Sequence, residues 1–539
     1  MTWIGPENVL LSRKKKNIHK MLISMQILDF RMAGRGRQIV LTTDRSLLSN
    51  YRDNMLFGFV ACMPAEKLSK FLYYHVFCPS VPADRSTGVV ELAPLGLRRI
   101  ESSLIEEYTK ENVIISHCDY LQKSIGPRTE IVGINSMDPL GNSPLVTSIA
   151  GRPLTPYTRL SFISLMKRLR RIKEANGYKF KIVLGGGGAW QLLRKQERDL
   201  YGIDHVVIGE ADDQCVNMFY EIRDGNAAEV MSVTTSKIVD IPYIQGPTIS
   251  SSIEAMRGCG KGCDFCEPNR RLKRDFPIDR LKKEAKINLD YGHTCIWLMS
   301  EEIMLYGCDN KNLYPNRDAI VELYTAMKNL GKVNYVGAVH LTLASAVADP
   351  ACIQKMREIN NFGPGKWNAV QAGIETGSSR LIKKHMPYKS KPFSPDEWLD
   401  IVLEGTKVLN RNYLVGLYTL MIGLPGETDD DVQESINLIK DLDGTESVIT
   451  PTLWTDYYHP ENSFTPEKFT KLQWKLYYLC WKIDIKAIHN WISYGTAHFP
   501  PLVRQIAVAS ARLGTNYHLR AIRDKAKRTL GHDPDFDDI

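Results

Sequence analysis

The sequence contains no long hydrophobic run. Its 539 residues include no stretch of about eighteen uninterrupted apolar residues, the length that a membrane-crossing helix needs, so we predict no membrane span. No apolar segment followed by small residues stands near the N-terminus, which argues against a secretory signal peptide. Eleven cysteines, an odd number scattered along a long chain, do not form a disulfide framework and suit a reducing compartment. We therefore predict a cytoplasmic protein.

The chain also lacks a concentration of charge of one sign. Its net charge is +8, but the basic residues are spread over Arg13 to Lys20, Arg31 to Arg37 and Arg520 to Arg528. This diffuse distribution favours solvated faces over a nucleic-acid partner, although an anionic partner surface stays open. The chain is too long for one hydrophobic core, so we expect two or three domains.

Three cysteines stand close together in the run RGCGKGCDFCEPNRR, with the spacing C-x-x-x-C-x-x-C. They are Cys259, Cys263 and Cys266. Three thiolates on one tight loop can hold three corners of a cubane iron–sulfur cluster, and the fourth iron is then free to bind a substrate or cofactor. The spacing therefore predicts a catalytic iron–sulfur site with one open coordination position.

A zinc site or a purely structural role for these cysteines fits the sequence less well. Zinc usually takes four closed ligands from paired cysteine or histidine units, and no second pair stands near the loop, although His293 and Cys295 follow later in the chain. Three structural cysteines in a turn are the remaining alternative. The glycines between the cysteines disfavour it, because backbone without Cβ atoms can fold closely around a bulky cluster. They are Gly258, Gly260 and Gly262.

The run MRGCGKGCDFC resembles the signature of radical S-adenosylmethionine (SAM) enzymes. The resemblance implies a [4Fe-4S] cluster whose open iron binds the amino and carboxylate groups of SAM. One electron, from a donor such as a ferredoxin or flavodoxin, then splits the sulfonium and yields a 5′-deoxyadenosyl radical. Phe265 matches the aromatic residue that packs near the adenine in such enzymes.

Strand-like and helix-like segments alternate through residues 1–245, which we assign to an N-terminal domain. Helical spacing runs from Tyr157 to Asn176. The alternation predicts an α/β fold with a doubly wound parallel sheet, which binds ligands at the carboxyl ends of its strands. The strand-like runs are RQIVLTTD (37–44), ENVIISHCD (111–119), TEIVGINSMDPLGNSP (129–144), FKIVLGGGGAW (180–190) and IDHVVIGEADD (203–213).

Four consecutive glycines end one of these runs, but they do not form the G-x-G-x-x-G turn of dinucleotide sites. VLGGGGAW followed by DHVVIGEADD instead resembles the paired loops of the cobalamin-binding domain that precedes many radical SAM cores. The cobalt-binding hexapeptide D-x-H-x-x-G is absent, and His117 in ISHCDY does not fit it. The resemblance thus implies a base-off corrin with no histidine on cobalt and with the loop Asn135 to Ser143 beneath it. A degenerate domain that holds no cofactor is the alternative.

The cobalamin contacts implied by this resemblance lie on two loops and one further strand end. They are Asn135, Ser136, Met137, Asp138, Pro139, Leu140, Gly185, Gly186, Gly187, Gly188, Gly209 and Glu210.

Residues 246–445 repeat the order strand, turn and helix, which predicts a partial or full βα barrel with its site at the strand ends. Polar and glycine-rich runs at those ends resemble runs common in radical SAM proteins, although each one read singly fits a cap or turn equally well. The expected SAM contacts are Phe265, Glu301, Glu302, Glu375, Ser378, Gly423, Leu424 and Pro425.

Residues 446–539 are predicted to form a helical, aromatic C-terminal region. Most of its aromatic residues have helical spacing, which favours packing over recognition. The run WTDYYHPENS (454–463) is polar, contains proline and follows the last barrel-like strand, so we expect it to face the substrate. The residues concerned are Trp454, Tyr457, Tyr458 and His459.

A cobalamin domain followed by a radical SAM core most resembles the cobalamin-dependent radical SAM methyltransferases, over residues 37–445. The resemblance implies that one SAM methylates reduced cobalt. A second SAM yields the radical that removes hydrogen from an unactivated carbon, and methylcobalamin then supplies the methyl group. Overall likeness is greatest to methanogen enzymes that modify methyl-coenzyme M reductase, in particular a glutamine of its alpha subunit, which implies a protein or peptide substrate and a post-translational modification.

Three alternatives share these motifs in whole or in part. A cobalamin-dependent radical SAM enzyme could act on a small metabolite, and a ring-forming or rearranging enzyme of the same superfamily would carry the same cysteines. A non-catalytic regulatory protein could hold a complete iron–sulfur cluster. Production of 5′-deoxyadenosine from SAM separates the enzymes from the regulatory protein.

Overall fold

The computed structural model describes residues 35–53, 55–151, 154–233, 236–266, 272–309, 311–495 and 501–536. The basic run Arg13 to Lys20 and most of the run Arg31 to Arg37 lie outside the described residues. Within the described residues, no helix is long and apolar enough to cross a membrane.

Among the described residues, six strands form the N-terminal sheet, and every neighbouring pair is parallel. They are β1 Ile39–Thr43, β2 Val113–Ile115, β3 Ile131–Asn135, β4 Lys181–Gly185, β5 His205–Ile208 and β6 Val230–Ser232. Their order in the sheet is β2-β1-β3-β4-β5-β6. The order reverses between β1 and β3, and ligands of such open sheets bind where strand order reverses, at the carboxyl ends. The predicted doubly wound sheet is confirmed.

Helices cover both faces of this sheet, and apolar residues of strands and helices form one core between them. Within the described residues, three helices lie in the long connection between β1 and β2, and five more follow. The helices are α1 Met55–Gly58, α2 Lys70–Leu72, α3 Leu95–Tyr108, α4 Leu121–Ser124, α5 Pro144–Ala150, α6 Tyr157–Asn176, α7 Lys195–Tyr201 and α8 Cys215–Arg223.

A second set of six parallel strands forms a partial barrel. The strands are β7 Ser252–Glu254, β10 Cys295–Met299, β11 Tyr335–Ala338, β12 Asn368–Glu375, β13 Leu414–Ile422 and β14 Ser447–Leu453. β7, β10 and β11 pair in one group and β12, β13 and β14 in another. A parallel bridge between His340 and Gln371 joins the two groups just beyond β11. The predicted barrel is confirmed as a partial one.

Helices pack around the outside of the barrel and continue into the C-terminal region, where they share one hydrophobic core with the strands. They are α9 Ile278–Tyr291, α10 Arg317–Lys328, α11 Leu343–Ala348, α12 Pro350–Asn360, α13 Ser379–His385, α14 Trp398–Arg411, α15 Asp429–Asp441, α16 Lys471–Gly495 and α17 Pro501–Leu530. A two-stranded antiparallel pair, β8 Met256–Arg257 and β9 Arg274–Asp275, brackets the cysteine loop.

Candidate functional site

The three predicted cluster cysteines lie together on the loop that follows β8, which we call the cluster loop (residues 258–266). All three side chains are partly buried and unpaired by disulfides. Burial raises the pKa of each thiol, for Cys266 to about 12. A metal ligand must be a thiolate, so loading iron onto this loop releases protons. Gly258, with φ at 71°, begins the loop in a conformation that side chains rarely adopt.

A buried lysine inside the cluster loop fastens it to the barrel. Lys261 is 1% exposed, and its Nζ donates to Thr342 Oγ1 at 3.0 Å and to the Lys389 carbonyl at 3.2 Å. Burial lowers the pKa of Lys261, and the nearby carboxylate of Glu302 opposes that shift. Sequence reasoning passed over Lys261, because a lysine between cysteines gives no signal of burial.

The two acidic residues that follow β10 have different positions. Glu301 accepts a hydrogen bond from the Gly258 N–H at 3.0 Å, so its carboxylate lies against the cluster loop. Glu302 is completely buried, caps the turn Ile303–Leu305 and accepts from the Met304 N–H at 3.2 Å. Burial raises the pKa of Glu302, with Lys261 acting in the opposite direction. Of the two expected SAM contacts, Glu301 is therefore the more accessible.

Glu375 ends β12 and forms a buried ion pair with Lys389. The Lys389 Nζ donates to Glu375 Oε1 at 2.8 Å, and Thr419 Oγ1 donates to Oε2 at 3.3 Å. Burial lowers the pKa of Lys389, but Glu375 and the Cys263 thiol outweigh it and hold that pKa at about 12. Lys389 thus keeps a buried positive charge near the cluster loop. A Cβ at Gly373 would lie 1.8 Å from Glu375 Oε1, so this approach requires glycine.

A histidine links the cluster loop to the turn after β13. His385 Nδ1 lies 2.7 Å from Asp264 Oδ2, and His385 Nε2 lies 2.9 Å from the Pro425 carbonyl. Phe265, next to Asp264, packs partly buried against the barrel core, and Leu424 is buried. The structure therefore brings Phe265, Leu424 and Pro425 to one side of the site. His385 was not predicted as a site residue, since its partners are far away in sequence.

Gly423 and Ser378 have local structural partners. The Gly423 N–H donates to Glu427 Oε2 at 3.0 Å, and a Cβ at Gly423 would lie 2.1 Å from the Phe464 ring. The buried hydroxyl of Ser378 donates to Asp431 Oδ1 at 2.6 Å, which uses its proton. Gly423 thus provides a close turn, and Ser378 holds the start of α13 against α15.

The two predicted cobalamin loops pack directly against each other at the carboxyl ends of β3 and β4. A Cβ at Gly186 would lie 2.2 Å from Asn135 Oδ1, and one at Gly188 would lie 2.4 Å from the Met137 carbonyl. The glycine run is therefore needed for the contact between these two loops, independently of any ligand. Met137 is 56% exposed beside this contact, next to the completely buried Ser136.

Asp138 organises the first of these loops from within. Its Oδ1 accepts from Gln191 Nε2 at 2.6 Å and from the N–H groups of Asn142 and Ser143 at 2.9 and 3.0 Å. Burial raises its pKa, and these hydrogen bonds counteract that shift. Leu140 is held by the same amide, because its N–H donates to Gln191 Oε1 at 2.8 Å. Asp138 is thus a structural centre of the loop.

A cavity of about 270 Å³ opens beside these loops, under the carboxyl edge of the N-terminal sheet. Its walls are mainly apolar, from β1, β3, β4, β5, α3 and α8, and glycines in and just after the strands leave the space free. A Cβ at Gly133 would lie 2.7 Å from the Leu41 side chain. The Ser136 hydroxyl, on the neighbouring loop and not on the cavity wall, is buried without a hydrogen-bond partner among the described residues. The apolar walls of the cavity fit the flat, apolar part of a ligand.

The polar residues on the wall of this cavity include Glu210 and Asp212, which follow β5, and Glu254 and Arg257 beside the cluster loop. Gly209 has φ at 106°, and a Cβ at Gly209 would lie 2.5 Å from the carbonyl oxygen of Val233. The cavity therefore reaches Arg257, which immediately precedes the cluster loop.

His117 lies after β2 with both ring nitrogens engaged. Its Nε2 is 2.5 Å from Ser80 Oγ, and its Nδ1 accepts from the Asp119 N–H at 3.1 Å. Burial lowers its pKa to about 4. These contacts are consistent with the expectation that His117 does not ligate cobalt, which stays a prediction.

Of the four expected substrate contacts, Trp454 and Tyr457 are partly buried, and Tyr457 faces the N-terminal domain. Its ring meets Trp190 edge-on, with centroids 4.7 Å apart, and Trp190 follows the glycine run. Burial raises the pKa of Tyr457 to about 12, with Cys266 and Glu375 adding to the effect. Trp454 is half-buried, whereas Tyr458 is 62% exposed and the side chain of His459 is 66% exposed. Tyr457 therefore stands between the glycine run and the cluster loop.

Comparisons with known sequences support the assignment of the barrel to the radical SAM enzymes, which the cysteine run predicts. Residues 253–439 match the family model described as "Radical SAM superfamily". A "tRNA-2-methylthio-N(6)-dimethylallyladenosine synthase" from Clostridium botulinum is 23% identical over 41% of this chain and 46% of the relative. A "Threonylcarbamoyladenosine tRNA methylthiotransferase" from Mus musculus is 25% identical over 54% of this chain and 47% of the relative. The chain spans about half the length of these relatives.

Two solved structures share the fold. The radical S-adenosylmethionine methyltransferase TsrM from Kitasatospora setae, with cobalamin and a [4Fe-4S] cluster bound, superposes with a TM-score of 0.51 at 13% identity. That match covers 78% of this chain and 73% of TsrM. TsrM with tryptophan and a SAM analogue superposes with a TM-score of 0.50 at 13% identity, over 77% and 73%. Residues 253–439 of this chain therefore form a radical SAM domain, which implies a [4Fe-4S] cluster and SAM as its cofactors.

Proposed function

We propose that this chain is a cobalamin-dependent radical SAM methyltransferase that methylates an unactivated carbon. The observation that carries the proposal is the position of the 270 Å³ cavity, which reaches Arg257 at the start of the cluster loop. The cavity lies where open parallel sheets bind ligands, and its mainly apolar walls fit the nucleotide tail of a corrin. The shared fold with TsrM, which binds cobalamin, supports the same assignment.

The residues of the barrel give each reactant a place. Cys259, Cys263 and Cys266 would hold three irons of the cluster. Glu301, at the edge of the cluster loop, offers a carboxylate to the ammonium or the ribose of SAM, and Lys389 supplies a buried cation nearby. When bound, the two cofactors supply a hydrogen-abstracting radical and a transferable methyl group, a pairing suited to carbon that is neither acidic nor nucleophilic.

The proposed substrate is a glutamine residue in the alpha subunit of methyl-coenzyme M reductase. The support for this finer proposal is the overall likeness of the sequence to methanogen enzymes that modify that protein. A protein substrate, an electron donor such as a ferredoxin or flavodoxin, and a cytoplasmic location form part of the same proposal.

A second candidate function is methylthiolation of tRNA, because the curated relatives carry that name. The similarity to them covers about half of this chain, from 41% to 54%. The two functions differ in product, since one adds a methyl group to a peptide and the other adds a methylthio group to an adenosine.

The test is anaerobic reconstitution with iron, sulfide, cobalamin and SAM, followed by mass spectrometry. Peptides that contain the target glutamine, small metabolites and tRNA are supplied separately. We expect cobalamin uptake in the visible spectrum, 5′-deoxyadenosine formation and a gain of one methyl group on the peptide. Failure to bind cobalamin, or a methylthio group on tRNA, would contradict the proposal.

A further inference from the structure

Both ends of the cluster loop are tied to one carboxylate of the N-terminal domain. Arg257, two residues before Cys259, donates to Glu210 Oε2 at 2.9 Å, and Arg274, beyond the loop, donates to Glu210 Oε1 at 2.6 Å. Glu210 follows β5 and is 5% exposed. Arg257 and Arg274 are also partners in the β8–β9 pair. Glu210 thus closes the base of the cluster loop from the neighbouring domain.

Arg257 has all its donors engaged. Its five N–H groups bind three carboxylates, those of Glu210, Asp212 and Glu254, at distances from 2.6 to 3.0 Å. A planar guanidinium with every N–H used has one orientation that satisfies all partners. The position of Arg257, two residues before Cys259, is therefore set by Glu210 and Asp212, which follow β5, and by Glu254 at the end of β7.

These groups belong to a larger set of buried charges, which we call the arginine–acid cluster. It contains four carboxylates and four guanidinium groups, so its net charge is zero. Removing one partner from such a set leaves a buried charge unpaired, which is strongly unfavourable, so the members hold one another in place. They are Glu210, Asp212, Glu254, Glu284, Arg99, Arg257, Arg274 and Arg280.

Four members of the arginine–acid cluster also line the 270 Å³ cavity, namely Glu210, Asp212, Glu254 and Arg257. A ligand that fills the cavity therefore touches the same side chains that hold the cluster loop. Glu284, in contrast, is completely buried between Arg99 and Arg280 and does not line the cavity.

We propose that Glu210 is a positioning residue that couples occupancy of the cavity to the order of the cluster loop. The inference rests on the proposed function, because cobalamin is taken as the ligand. A ligand that fixes Glu210 reduces the conformational freedom that the loop must lose when it closes around an iron–sulfur cluster. Bound cobalamin therefore strengthens binding of the iron–sulfur cluster. Linkage then requires that the iron–sulfur cluster strengthen cobalamin binding by the same factor.

The test compares cobalamin binding by the full chain with and without its iron–sulfur cluster. Hydroxocobalamin is titrated anaerobically and followed by its visible spectrum. We expect the wild type with its iron–sulfur cluster to bind hydroxocobalamin at least about fivefold more tightly than the same protein without the cluster. In Glu210→Gln the ratio falls toward one, because the neutral amide no longer holds both Arg257 and Arg274.

Two further variants make the comparison specific. Glu284→Gln removes a carboxylate that pairs with Arg99 and Arg280 but with no group of the loop or the cavity in the described part of the chain, so it lowers the stability of the fold while the binding ratio is retained. Arg274→Met removes the tie after the loop, which consists of the bonds from Arg274 to Glu210 and to the Ser236 carbonyl, from a side chain that is 16% exposed, and its ratio falls. If circular dichroism shows that Glu210→Gln does not fold, the binding ratio of Arg274→Met tests the coupling alone.

A second readout does not involve catalysis. Extraction of iron from the reconstituted wild type by a chelator slows severalfold when cobalamin is added, and in Glu210→Gln it does not. A ratio of one in the wild type, or an unchanged ratio in Arg274→Met, overturns the coupling and leaves the proposed function standing. Absence of cobalamin uptake by the wild type overturns both.

Discussion

At the scale of single residues, the site contains more buried charge than its sequence indicates. The three cysteines and the carboxylates Glu301 and Glu375 were predictable, because their spacing and their places at strand ends are local features of the sequence. Lys389 and His385 were not, since the groups that they contact are distant in the chain or carry no pattern of their own. A lysine in the run MPYKSKPFS looks like any exposed lysine until the fold buries it.

The cluster cysteines give the first prediction at this scale. Replacing Cys259, Cys263 or Cys266 by Ala should abolish SAM cleavage, because two thiolates cannot hold the cubane cluster. The measurement is 5′-deoxyadenosine by chromatography together with iron content.

Other cysteines serve as controls, since substitution there costs only packing. Cys308→Ala, at a partly exposed thiol, should keep cleavage near the wild-type rate. The same tolerance is expected at Cys62, Cys78, Cys295, Cys352 and Cys480. Cleavage that persists in any of the three cluster variants would refute the assignment of the loop.

Glu427 gives a prediction about pH and stability. Burial raises its pKa from 4.5 to about 7. A carboxyl with a raised pKa in the folded state contributes stability that is fully present below about pH 4.5 and is lost as pH rises through about 7. Glu427→Gln lacks this titration. The free energy of unfolding of Glu427→Gln minus that of the wild type should therefore rise by about 2 to 3 kcal/mol as the pH rises from about 4.5 to about 7.

Denaturant unfolding at a series of pH values measures this difference. The control is Glu358→Gln, at a side chain that is 40% exposed on a barrel helix, where the difference should stay small. A Glu427→Gln difference that is flat across the pH range would show that the carboxyl is not buried as described.

At the scale of elements, strongly periodic segments were predictable and short or interrupted strands were not. The helix predicted from Tyr157 to Asn176 is confirmed with the same bounds. β6 was missed, because three residues give no periodicity. β14 contains Pro451, which weakens a strand signal but is tolerated at a sheet edge, and β14 is an edge strand. The expected boundary at residue 445 therefore falls before the last barrel strand.

The packed glycine loops give a prediction at the scale of elements. In Gly187→Leu the new Cβ lies 3.2 Å from the thioether methyl of the exposed Met137, which can move aside, so the loop keeps its place and the added bulk collides with the corrin. We expect loss of cobalamin and of methylation, with the iron–sulfur cluster and 5′-deoxyadenosine formation retained. The visible spectrum of the reconstituted protein and product analysis measure both.

The control for this variant is Gly363→Leu, at a glycine in the barrel domain where a Cβ meets no atom within 4 Å. It should bind cobalamin as the wild type does. Normal cobalamin uptake by Gly187→Leu, or a histidine nitrogen bound to cobalt in the wild type, would show that the assignment of these loops is wrong.

At the scale of the whole molecule, the two domains have separate cores but are joined at the site by polar and aromatic contacts. The arginine–acid cluster joins them beneath the cluster loop. On the other side, Tyr457 meets Trp190, and Arg194 forms an ion pair with Glu461 on the segment 454–463. Sequence patterns reveal each domain but not these contacts, because they depend on how the finished domains pack.

Tyr457 therefore gives a prediction about how 5′-deoxyadenosine formation and methyl transfer are coupled. Tyr457→Ala removes the ring that lies between Trp190 and the neighbourhood of Cys266. We expect methylation to fall about tenfold or more, because small misplacement of reacting groups is costly, while 5′-deoxyadenosine formation stays within about twofold. Tyr457→Phe keeps the ring contact and should keep the two products coupled. The ratio of methylated product to 5′-deoxyadenosine is the measurement. If the ratio is unchanged in Tyr457→Ala, the aromatic contact does not align the domains, and if it falls equally in Tyr457→Phe, the hydroxyl rather than the ring is responsible.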